Sequence, residues 1–305
     1  MSPLMTDPAP HFSVILPTRN RARLLARAVA SVLAQTLGNL ELIVVDDASS
    51  DDTAAVLATI DDPRMKLIRL PRPGGAAAAR NRGLVEARGT LVAFQDSDDA
   101  WRPHKLAAHH GAMRAAPAGV IASVGSFRHH RGDTAHDVVH APGVVAGEEV
   151  ARRIVHGLSL GTVSLAAQRD AVARAGGFDE SLPRLQDVEL CLRLARLGDF
   201  VFLGEVLADV HHTADSISAD ATRFDEAITA IARKHRAVFR RHARGYSYQL
   251  YRAGKYHAFE GRYRAAIPLL ARSLARDPAN WRALVMLAAI GLGLAPLLAR
   301  RSGQR

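Results

Sequence analysis

Residues 91–101 combine an apolar run with closely spaced acids, a pattern suited to holding a cation at the end of a strand. They read Leu-Val-Ala-Phe-Gln-Asp-Ser-Asp-Asp-Ala-Trp. In an extended chain Asp96 and Asp98 project to the same side, because side chains in a strand alternate. Carboxylate oxygens suit Mg²⁺ or Mn²⁺, and these ions commonly hold substrate phosphates. The structural alternative is an acidic turn that caps the helix expected near Pro103.

An alternation of apolar runs and helical periodicity predicts the elements that position these acids. Strands are expected at 12–16, 40–45, 65–70 and 91–94, and helices at 22–33, 53–60 and 76–87. Short connections between them predict an α/β fold with a mostly parallel sheet and helices on both faces. Ligands bind beyond the carboxyl ends of such strands. Asp46 and Asp47, which follow the second strand, are therefore expected to point into the same crevice as Asp96 and Asp98.

From residue 100 the pattern is less regular. Strands are expected at 120–124, 164–167, 201–203 and 207–210, and a helix at 148–156. The stretch 128–140 contains four histidines, but their spacing matches no familiar zinc site, and a mobile polar loop is the preferred interpretation. Residues 187–197 have the periodicity of a helix whose apolar stripe starts at Asp187. This acid is expected to face inward at the helix N-terminus, and an ordinary helix cap is the alternative.

The last part of the chain is predicted to be helical and is strongly basic. Helices are expected at 223–243, 247–260 and 263–275, and residues 261–278 resemble a single tetratricopeptide unit. Residues 231–305 carry 16 Lys and Arg against two acids, whereas the preceding 230 residues carry 24 against 28. This asymmetry suggests nucleic acid or an anionic lipid surface as a partner, or a solvated face that keeps the protein soluble. Nucleic acid is the weaker alternative, because aromatic residues are scarce and no nucleic-acid motif is present.

One segment near the end, residues 283–299, contains no charged residue. Gly291, Gly293 and Pro296 interrupt it, and it falls short of the roughly 20 apolar residues that span a bilayer. With Trp281 and basic residues at its ends, it either lies on a membrane or packs on the preceding helices.

The composition is that of a globular protein with one large or two smaller domains. The chain has 305 residues, of which 48% are hydrophobic and 23% are charged. Its single cysteine, Cys191, excludes an internal disulfide framework and a multi-cysteine zinc site, and agrees with a reducing compartment. The first ten residues lack the apolar core of a signal peptide, so the expected location is the cytoplasm.

Several motifs occur in a fixed order between residues 11 and 218. They are SVILPTRN at 13–20, SVLAQT at 31–36, ELIVVDDAS at 41–49, ARNRG at 79–83, FQDSDD at 94–99, GGFDE at 176–180 and QDVELCLR at 186–193. Together they resemble the inverting glycosyltransferases of family 2, which have the GT-A fold. The resemblance implies a Rossmann-like catalytic domain that uses a nucleoside diphosphate sugar.

The resemblance assigns a nucleotide site to the ends of the first two strands. It implies that Asp47 accepts a hydrogen bond from the base, which in the family is usually uracil, and that Pro17 and Thr18 offer backbone contacts. Arg19 stands where the family often has tyrosine, and its guanidinium plane can stack on a base instead. Arg80 begins a helical stretch facing the same crevice and is a candidate contact for the pyrophosphate, with a surface arginine as the alternative.

The resemblance also assigns the metal ion and the base. Asp98 matches the metal ligand of the family's Asp-x-Asp motif, and Asp96 matches the residue that reaches the ribose or the waters of the metal. Mn²⁺ or Mg²⁺ is therefore the expected cofactor. Asp187 has the position of the catalytic base. His211 and His212 resemble a late His-x-x-Ser segment with one residue more, and His212 is the candidate metal ligand of this pair, with a structural role as the alternative.

Three segments are expected: a flexible tail over 1–10, a GT-A catalytic domain over 11–220, and a basic helical region over 221–305. The expected activity is metal-dependent inverting transfer from a UDP-sugar or related donor to a hydroxyl-bearing glycan or lipid-linked acceptor. Synthesis of cell-surface polysaccharide or glycolipid is the expected context, with peripheral contact to anionic lipid at the inner membrane face. The alternative is a catalytically weak nucleotide-sugar-binding protein, or a membrane- or polyanion-binding protein that acts through its basic tail.

Overall fold

The computed structural model describes residues 10–211 and 221–301, which form two compact units. The first unit contains residues 10–147, 160–180 and 193–211. The second contains residues 148–159, 181–192 and 221–301. The tail expected over 1–10 falls almost wholly outside the described residues, and the expected domain boundary at 220 stays a prediction.

The first unit is built on one sheet. Its strands in the described residues are β1 Phe12–Thr18, β2 Leu40–Asp46, β3 Met65–Arg69, β4 Leu91–Phe94, β5 Ala100–Trp101, β6 Val120–Arg131, β7 Thr134–Val138, β8 Gly143–Val145, β9 Leu165–Gln168 and β10 Asp199–His211. Eight strands follow the order β3-β2-β1-β4-β9-β6-β10-β5, while β7 pairs with β6 and β8 pairs with β10.

Helices flank the sheet in the first unit and make up most of the second. They are α1 Ala22–Leu33, α2 Thr53–Ala58, α3 Gly75–Glu86, α4 Lys105–Ala115, α5 Gly147–Val155, α6 Arg169–Ala175, α7 Gln186–Leu194, α8 Ala221–Lys234, α9 Arg236–Arg241, α10 Ala243–Phe259, α11 Tyr263–Arg276, α12 Trp281–Gly291 and α13 Ala295–Arg301. Helices α1–α4 and α6 belong to the first unit, and the others belong to the second apart from a residue or two at the ends of α5 and α7.

The strands that lead into the acidic segments are parallel neighbours. β1 lies between β2 and β4 and is parallel to both, and β3 is parallel to β2. β1, β2 and β4 are buried along their whole length, as expected for strands covered on both faces. β9 runs antiparallel between β4 and β6, so the whole sheet is mixed. The short run Leu-Ala-Ala in β9 predicts a strand but not its direction, because direction depends on the path of the connecting chain.

The stretch 128–140, interpreted from the sequence as a mobile loop, contains a β-hairpin. β6 continues to Arg131, and β7 returns antiparallel to it. Gly132 turns the chain with a φ of 55°, which glycine adopts without strain. Across the hairpin Arg128 donates to both carboxylate oxygens of Asp137 at 2.6 and 3.0 Å. The loop interpretation was wrong because polar cross-strand pairs stabilise strands that have no apolar alternation.

Two stretches of the second unit that the sequence presents as continuous are each divided into two helices. The helix expected over 223–243 is two helices, α8 and α9, which meet at His235. The apolar segment 283–299 is also two helices, α12 and α13, with Gly293 at a φ of 68° between them. Within residues 10–211 and 221–301, no helix has the length and apolar character needed to cross a bilayer.

Candidate active site

Three neighbouring parallel strands bring the two acidic segments to one edge of the sheet. Thr18, the last residue of β1, is in register with Asp46 at the end of β2. On the other side of β1, Ile15 is in register with Phe94, so residues 95–99 leave β4 at the same edge. The sequence prediction that both acidic segments share an edge of the sheet is confirmed.

Asp47 lies at this edge and is held by the start of helix α3. Its Oδ1 accepts a hydrogen bond from the backbone N–H of Gly74 at 2.6 Å, and its Oδ2 accepts one from Gly75 at 2.9 Å. Its own N–H donates to the carbonyl of Thr18 at 2.8 Å. Gly75 has a φ of 86°, a conformation that a residue with a side chain rarely adopts. The carboxylate therefore sits at the positive end of the helix dipole, where negative charge is stabilised.

Asp46 serves the turn after β2. Its Oδ1 accepts from the N–H of Ser49 at 2.9 Å, and Arg69 lies 3.5 Å from its Oδ2. The carboxylate is buried. The sequence placed Asp46 in the crevice together with Asp47, and the structure gives its side chain to the local turn.

The other candidates on β1 differ in exposure. Pro17 is buried inside the strand, and Arg19 is exposed just beyond it. Thr18 is buried, and its hydroxyl oxygen has no hydrogen-bond partner among the described residues. A buried hydroxyl without a partner is costly, so this atom is suited to accept or donate a hydrogen bond to a ligand.

Arg80 and Asp96 are brought together by helix α3. Arg80 Nη2 lies 2.5 Å from Asp96 Oδ1, and the guanidinium carbon lies 5.4 Å from the ring centroid of Phe178. Arg80 is almost fully buried, so the alternative of a surface arginine is wrong. The cation and the carboxylate stabilise each other next to the strand end, and the expected contact of Arg80 with a pyrophosphate stays a prediction.

Asp98 follows two residues after Asp96 and is only partly balanced by positive charge. Burial, followed by the negative charge of Asp96, raises the pKa of the Asp98 carboxyl above its ordinary value. Arg21 and Arg27 act in the opposite direction but more weakly. The guanidinium of Arg27 donates a hydrogen bond to the backbone carbonyl of Asp98.

Asp99 belongs to the same cluster, although the sequence reasoning gave it no role. Its carboxylate accepts the backbone N–H of His211 at 2.9 Å and so fixes the end of strand β10 beside the acidic segment. Burial, together with Asp96 and Asp98, raises its pKa well above the ordinary value. A third acid in the Asp-Ser-Asp-Asp segment was the only sequence signal, because its partner lies more than a hundred residues away.

The donor set fits a divalent cation that takes only part of its coordination from protein. The part of the chain that the structure describes contains no group of three or more His, Cys, Asp or Glu side chains able to hold a metal ion. Asp96 and Asp98 nevertheless supply hard oxygen ligands whose mutual repulsion a cation would relieve. Mg²⁺-type sites of this kind usually combine one or two carboxylates with substrate phosphates. The other metal candidate, His212, lies outside the described residues.

Asp187 belongs to the second unit, in the first turn of helix α7. Its Oδ1 accepts the N–H of Val188 at 2.9 Å. Two residues later Glu189 is completely buried and lies 2.8 Å from Lys234 Nζ and 3.0 Å from His235 Nε2. This pairing anchors α7 to the end of α8 and the turn that follows it. Sequence reasoning missed Glu189, because its partners come 45 residues later in a stretch predicted as unbroken helix.

The family model described as Glycosyl transferase family 2 matches residues 13–170, just over half of the chain. The chain belongs to glycosyl transferase family 2. The matched span of this family 2 member includes β1 to β4 with both acidic segments, and it ends before Asp187.

Curated relatives match different shares of the chain. TuaG of Bacillus subtilis, named a putative teichuronic acid biosynthesis glycosyltransferase, is 29% identical over 222 residues, which are 71% of this chain and 84% of that protein. WfgD of Escherichia coli, named a UDP-Glc:alpha-D-GlcNAc-diphosphoundecaprenol beta-1,3-glucosyltransferase, is 44% identical over 94 residues. The latter match covers 31% of this chain and 37% of WfgD. Several relatives of higher identity are thus spanned over only about a third of their length.

Solved structures establish the fold of this family 2 member. The mannosyltransferase PcManGT from Pyrobaculum calidifontis, solved with GDP-Man and Mn²⁺, superposes with a TM-score of 0.64 at 19% identity. The match covers 97% of this chain and 84% of that one. The expected GT-A fold with a helical C-terminal region is confirmed.

Proposed function

We propose that this protein transfers a sugar from a nucleoside diphosphate sugar to a hydroxyl acceptor, with a divalent cation and with inversion at the anomeric carbon. The observation that carries the proposal is the placement of Asp47, Thr18 and Asp98 at one sheet edge of a family 2 chain. Asp47 and Thr18 mark the nucleotide end of this edge, and Asp98 marks the diphosphate end.

Asp96 and Asp98 would hold the cation, Mn²⁺ or Mg²⁺. When bound, the cation supplies positive charge against the charge that develops on the departing nucleoside diphosphate. Arg80 keeps Asp96 in place through their 2.5 Å ion pair. A carboxylate with a raised pKa beside a second carboxylate gains more from a cation than one already balanced by protein donors, which favours Asp98 as the principal ligand.

Asp187 is the proposed base. It takes the proton from the acceptor hydroxyl as the oxygen attacks the anomeric carbon from the face opposite the leaving group, and this geometry inverts the configuration. Glu189 pairs with Lys234 and His235, and these contacts fix the helix that carries Asp187 within the second unit.

The proposed donor is a UDP-sugar. WfgD is named for UDP-Glc, whereas the PcManGT structure contains GDP-Man, so relatives and neighbours in fold use different bases. In this chain the exposed Arg19 replaces the family's common tyrosine, and its guanidinium is proposed to stack on the base.

The proposed acceptor is a lipid-linked or glycan hydroxyl in the synthesis of cell-surface polysaccharide. WfgD is named for a diphosphoundecaprenol acceptor and TuaG for teichuronic acid biosynthesis. Catalysis is assigned to residues 11–220 and a supporting role to residues 221–305. The proposed location is the cytoplasm, at the inner face of the membrane.

A donor assay with two variants tests this proposal. With Mn²⁺ and a panel of nucleoside diphosphate sugars, the protein should release nucleoside diphosphate slowly to water and faster with an acceptor. Asp187→Asn should reduce transfer by about a thousandfold or more and leave donor-induced thermal stabilisation nearly unchanged, because a base acts in the chemical step.

Asp170→Asn is a suitable control, since Asp170 is an exposed acid in the first turn of another helix, α6. Normal transfer by Asp187→Asn would remove Asp187 as the base. Donor binding without turnover, for every donor and acceptor tried, would favour the catalytically weak nucleotide-sugar-binding alternative.

A further inference from the structure

Helix α12 presents an exposed apolar face. Trp281, Leu284, Val285 and Leu292 are between 48 and 73% exposed. Leu284, Val285 and the exposed Ala288 follow Trp281 by three, four and seven residues, so they lie on one side of the helix. Leu292 directly follows the last residue of α12. Large apolar side chains grouped in this way on a protein surface mark a site of interaction.

The opposite face of α12 is built into the core of the second unit. Ala283 and Met286 are buried against Ala258, Ala266 and Leu270. The helix is therefore apolar on both faces, and the residues that the structure describes cover only one of them. The sequence interpretation that residues 283–299 pack on the preceding helices is confirmed for the buried face of α12, and contact with a membrane stays a prediction.

A buried polar network fixes the start of α12. Asn280 Nδ2 lies 3.0 Å from the hydroxyl oxygens of both Ser247 and Ser273, and its Oδ1 accepts the N–H of Ala283. Ser247 and Ser273 also hydrogen-bond each other across α10 and α11. The exposed face is thus held by the fold and does not have to be organised by its partner, which lowers the entropic cost of binding.

Charge identifies the kind of partner. Residues 231–305 carry 16 Lys and Arg against two acids, and Arg282 stacks on the exposed ring of Trp281, with its guanidinium carbon 4.9 Å from the ring centroid. A second copy of this chain would bring like charges together. An anionic lipid surface offers opposite charge and an apolar interior. Tryptophan and arginine side chains are well suited to the interface between these two regions.

We propose that the outer face of α12, formed by Trp281, Leu284 and Val285, inserts together with the following Leu292 into the headgroup region of an anionic phospholipid bilayer. Because the opposite face of α12 is packed in the core of the second unit, the helix would lie in the plane of the interface. The inference extends the proposed function, because it places the protein where a lipid-linked acceptor is found. It does not depend on catalysis.

Sedimentation with vesicles tests the proposal on the whole protein. The protein should bind vesicles of phosphatidylcholine with phosphatidylglycerol, bind pure phosphatidylcholine far more weakly, and dissociate partly in high salt. The triple variant W281S/L284S/L292S should lower the partition coefficient at least about tenfold, since three large apolar groups no longer leave water. The matched control is V85S/V139S/V144S, which replaces three exposed apolar residues of the first unit.

Tryptophan emission supplies a second readout. Of the two tryptophans, Trp101 is 5% exposed and Trp281 is 61% exposed. A blue shift on anionic vesicles should therefore come from Trp281 and vanish in W281F, while W281F still sediments with the vesicles. The unfolding midpoint and nucleoside diphosphate release without vesicles are measured for every variant, which separates loss of folding or of catalysis from loss of lipid binding.

Three outcomes would overturn the proposal. The first is equal sedimentation of the triple variant and the wild type, and the second is equal binding to neutral and anionic vesicles. The third is a dimer in sedimentation equilibrium that the triple variant dissociates, with no vesicle binding, which would assign the face to a second copy of the chain.

Discussion

The two acidic segments at the edge of the sheet are similar in sequence and opposite in electrostatics. After β2, Asp47 accepts two backbone hydrogen bonds from the start of α3. After β4, burial and neighbouring carboxylates raise the pKa of both Asp98 and Asp99. In the first segment backbone donors satisfy Asp47. In the second, Asp96 pairs with Arg80 and Asp99 accepts one backbone N–H, but neighbouring carboxylates still act on Asp98 and Asp99.

We interpret this difference as a difference in role: the contacts of Asp47 stabilise the local fold, and Asp98 is available to the proposed cation. A carboxylate satisfied by backbone N–H groups stabilises the fold and presents a fixed acceptor to a nucleotide. A carboxylate close to other carboxylates lowers the stability of the fold at neutral pH through charge repulsion, and a bound cation relieves that repulsion. A variant at Asp98 should therefore reduce activity far more than stability, and a variant at Asp47 should clearly reduce stability.

The largest effect is expected for Asp98→Asn. Loss of the charge proposed to hold the cation should reduce Mn²⁺-dependent transfer by about a thousandfold, since metal stabilisation of the leaving group contributes several kcal/mol. The unfolding midpoint without metal should stay the same or rise, because one repelling charge is gone. Both are measured by product release and thermal unfolding, with the exposed Asp61→Asn as control. A large fall in the midpoint would show that Asp98 is structural.

Asp47→Asn should show the reverse balance. The amide cannot accept from both Gly74 and Gly75, so one hydrogen bond to a charged, buried carboxylate is lost. The expected loss is about 1–3 kcal/mol of unfolding free energy, measured by urea titration. Arg69→Ala is the control near the same strand end: it removes an exposed partner of Asp46 and should cost less than about 1 kcal/mol. Equal losses in the two variants would contradict the special role of the α3 contact.

A buried cation extends the comparison to the opposite charge. Lys105 is completely buried, 2.9 Å from His109 Nε2 and over the ring of Trp101, and burial lowers its pKa to about 7. Between pH 7 and its ordinary pKa near 10.5, the unfolded chain binds the proton more readily, so stability rises with pH in that window. Below pH 7 the full cost of burying the charge is present.

Lys105→Met should therefore stabilise the protein by about 1–3 kcal/mol at pH 6, after allowance for the lost hydrogen bond to His109, and by much less near pH 10. Urea unfolding at several pH values measures this dependence. The exposed Lys66→Met, which removes an ion pair with Glu86, should show no such trend between pH 6 and 9. A gain that does not change with pH would exclude the charge of Lys105 as its cause.

The sequence predicted what depends on near neighbours and missed what depends on distant ones. Strand β4 and helix α1 have their predicted bounds, because a short apolar run and a 3.6-residue periodicity are local signals. The shared edge of Asp47 and Asp98 followed from the alternation of strands and helices. Other contacts join residues that are 27 to 112 positions apart. They are the backbone donors of Asp47, the contact of Asp99 with His211 and the pairing of Glu189 with His235. No periodicity encodes such pairs.

Helix α3 determines which parts of this chain an engineer can exchange separately. Its first turn holds Asp47, Arg80 in its middle holds Asp96, and the next residue, Asn81, makes two hydrogen bonds with the backbone of Phe178. Three loops that are distant in sequence thus contact the same helix. A chimaera that exchanges only the loop after β2 would lose its matching contacts with α3. A chimaera designed to alter donor preference should therefore carry residues 46–96 as one block.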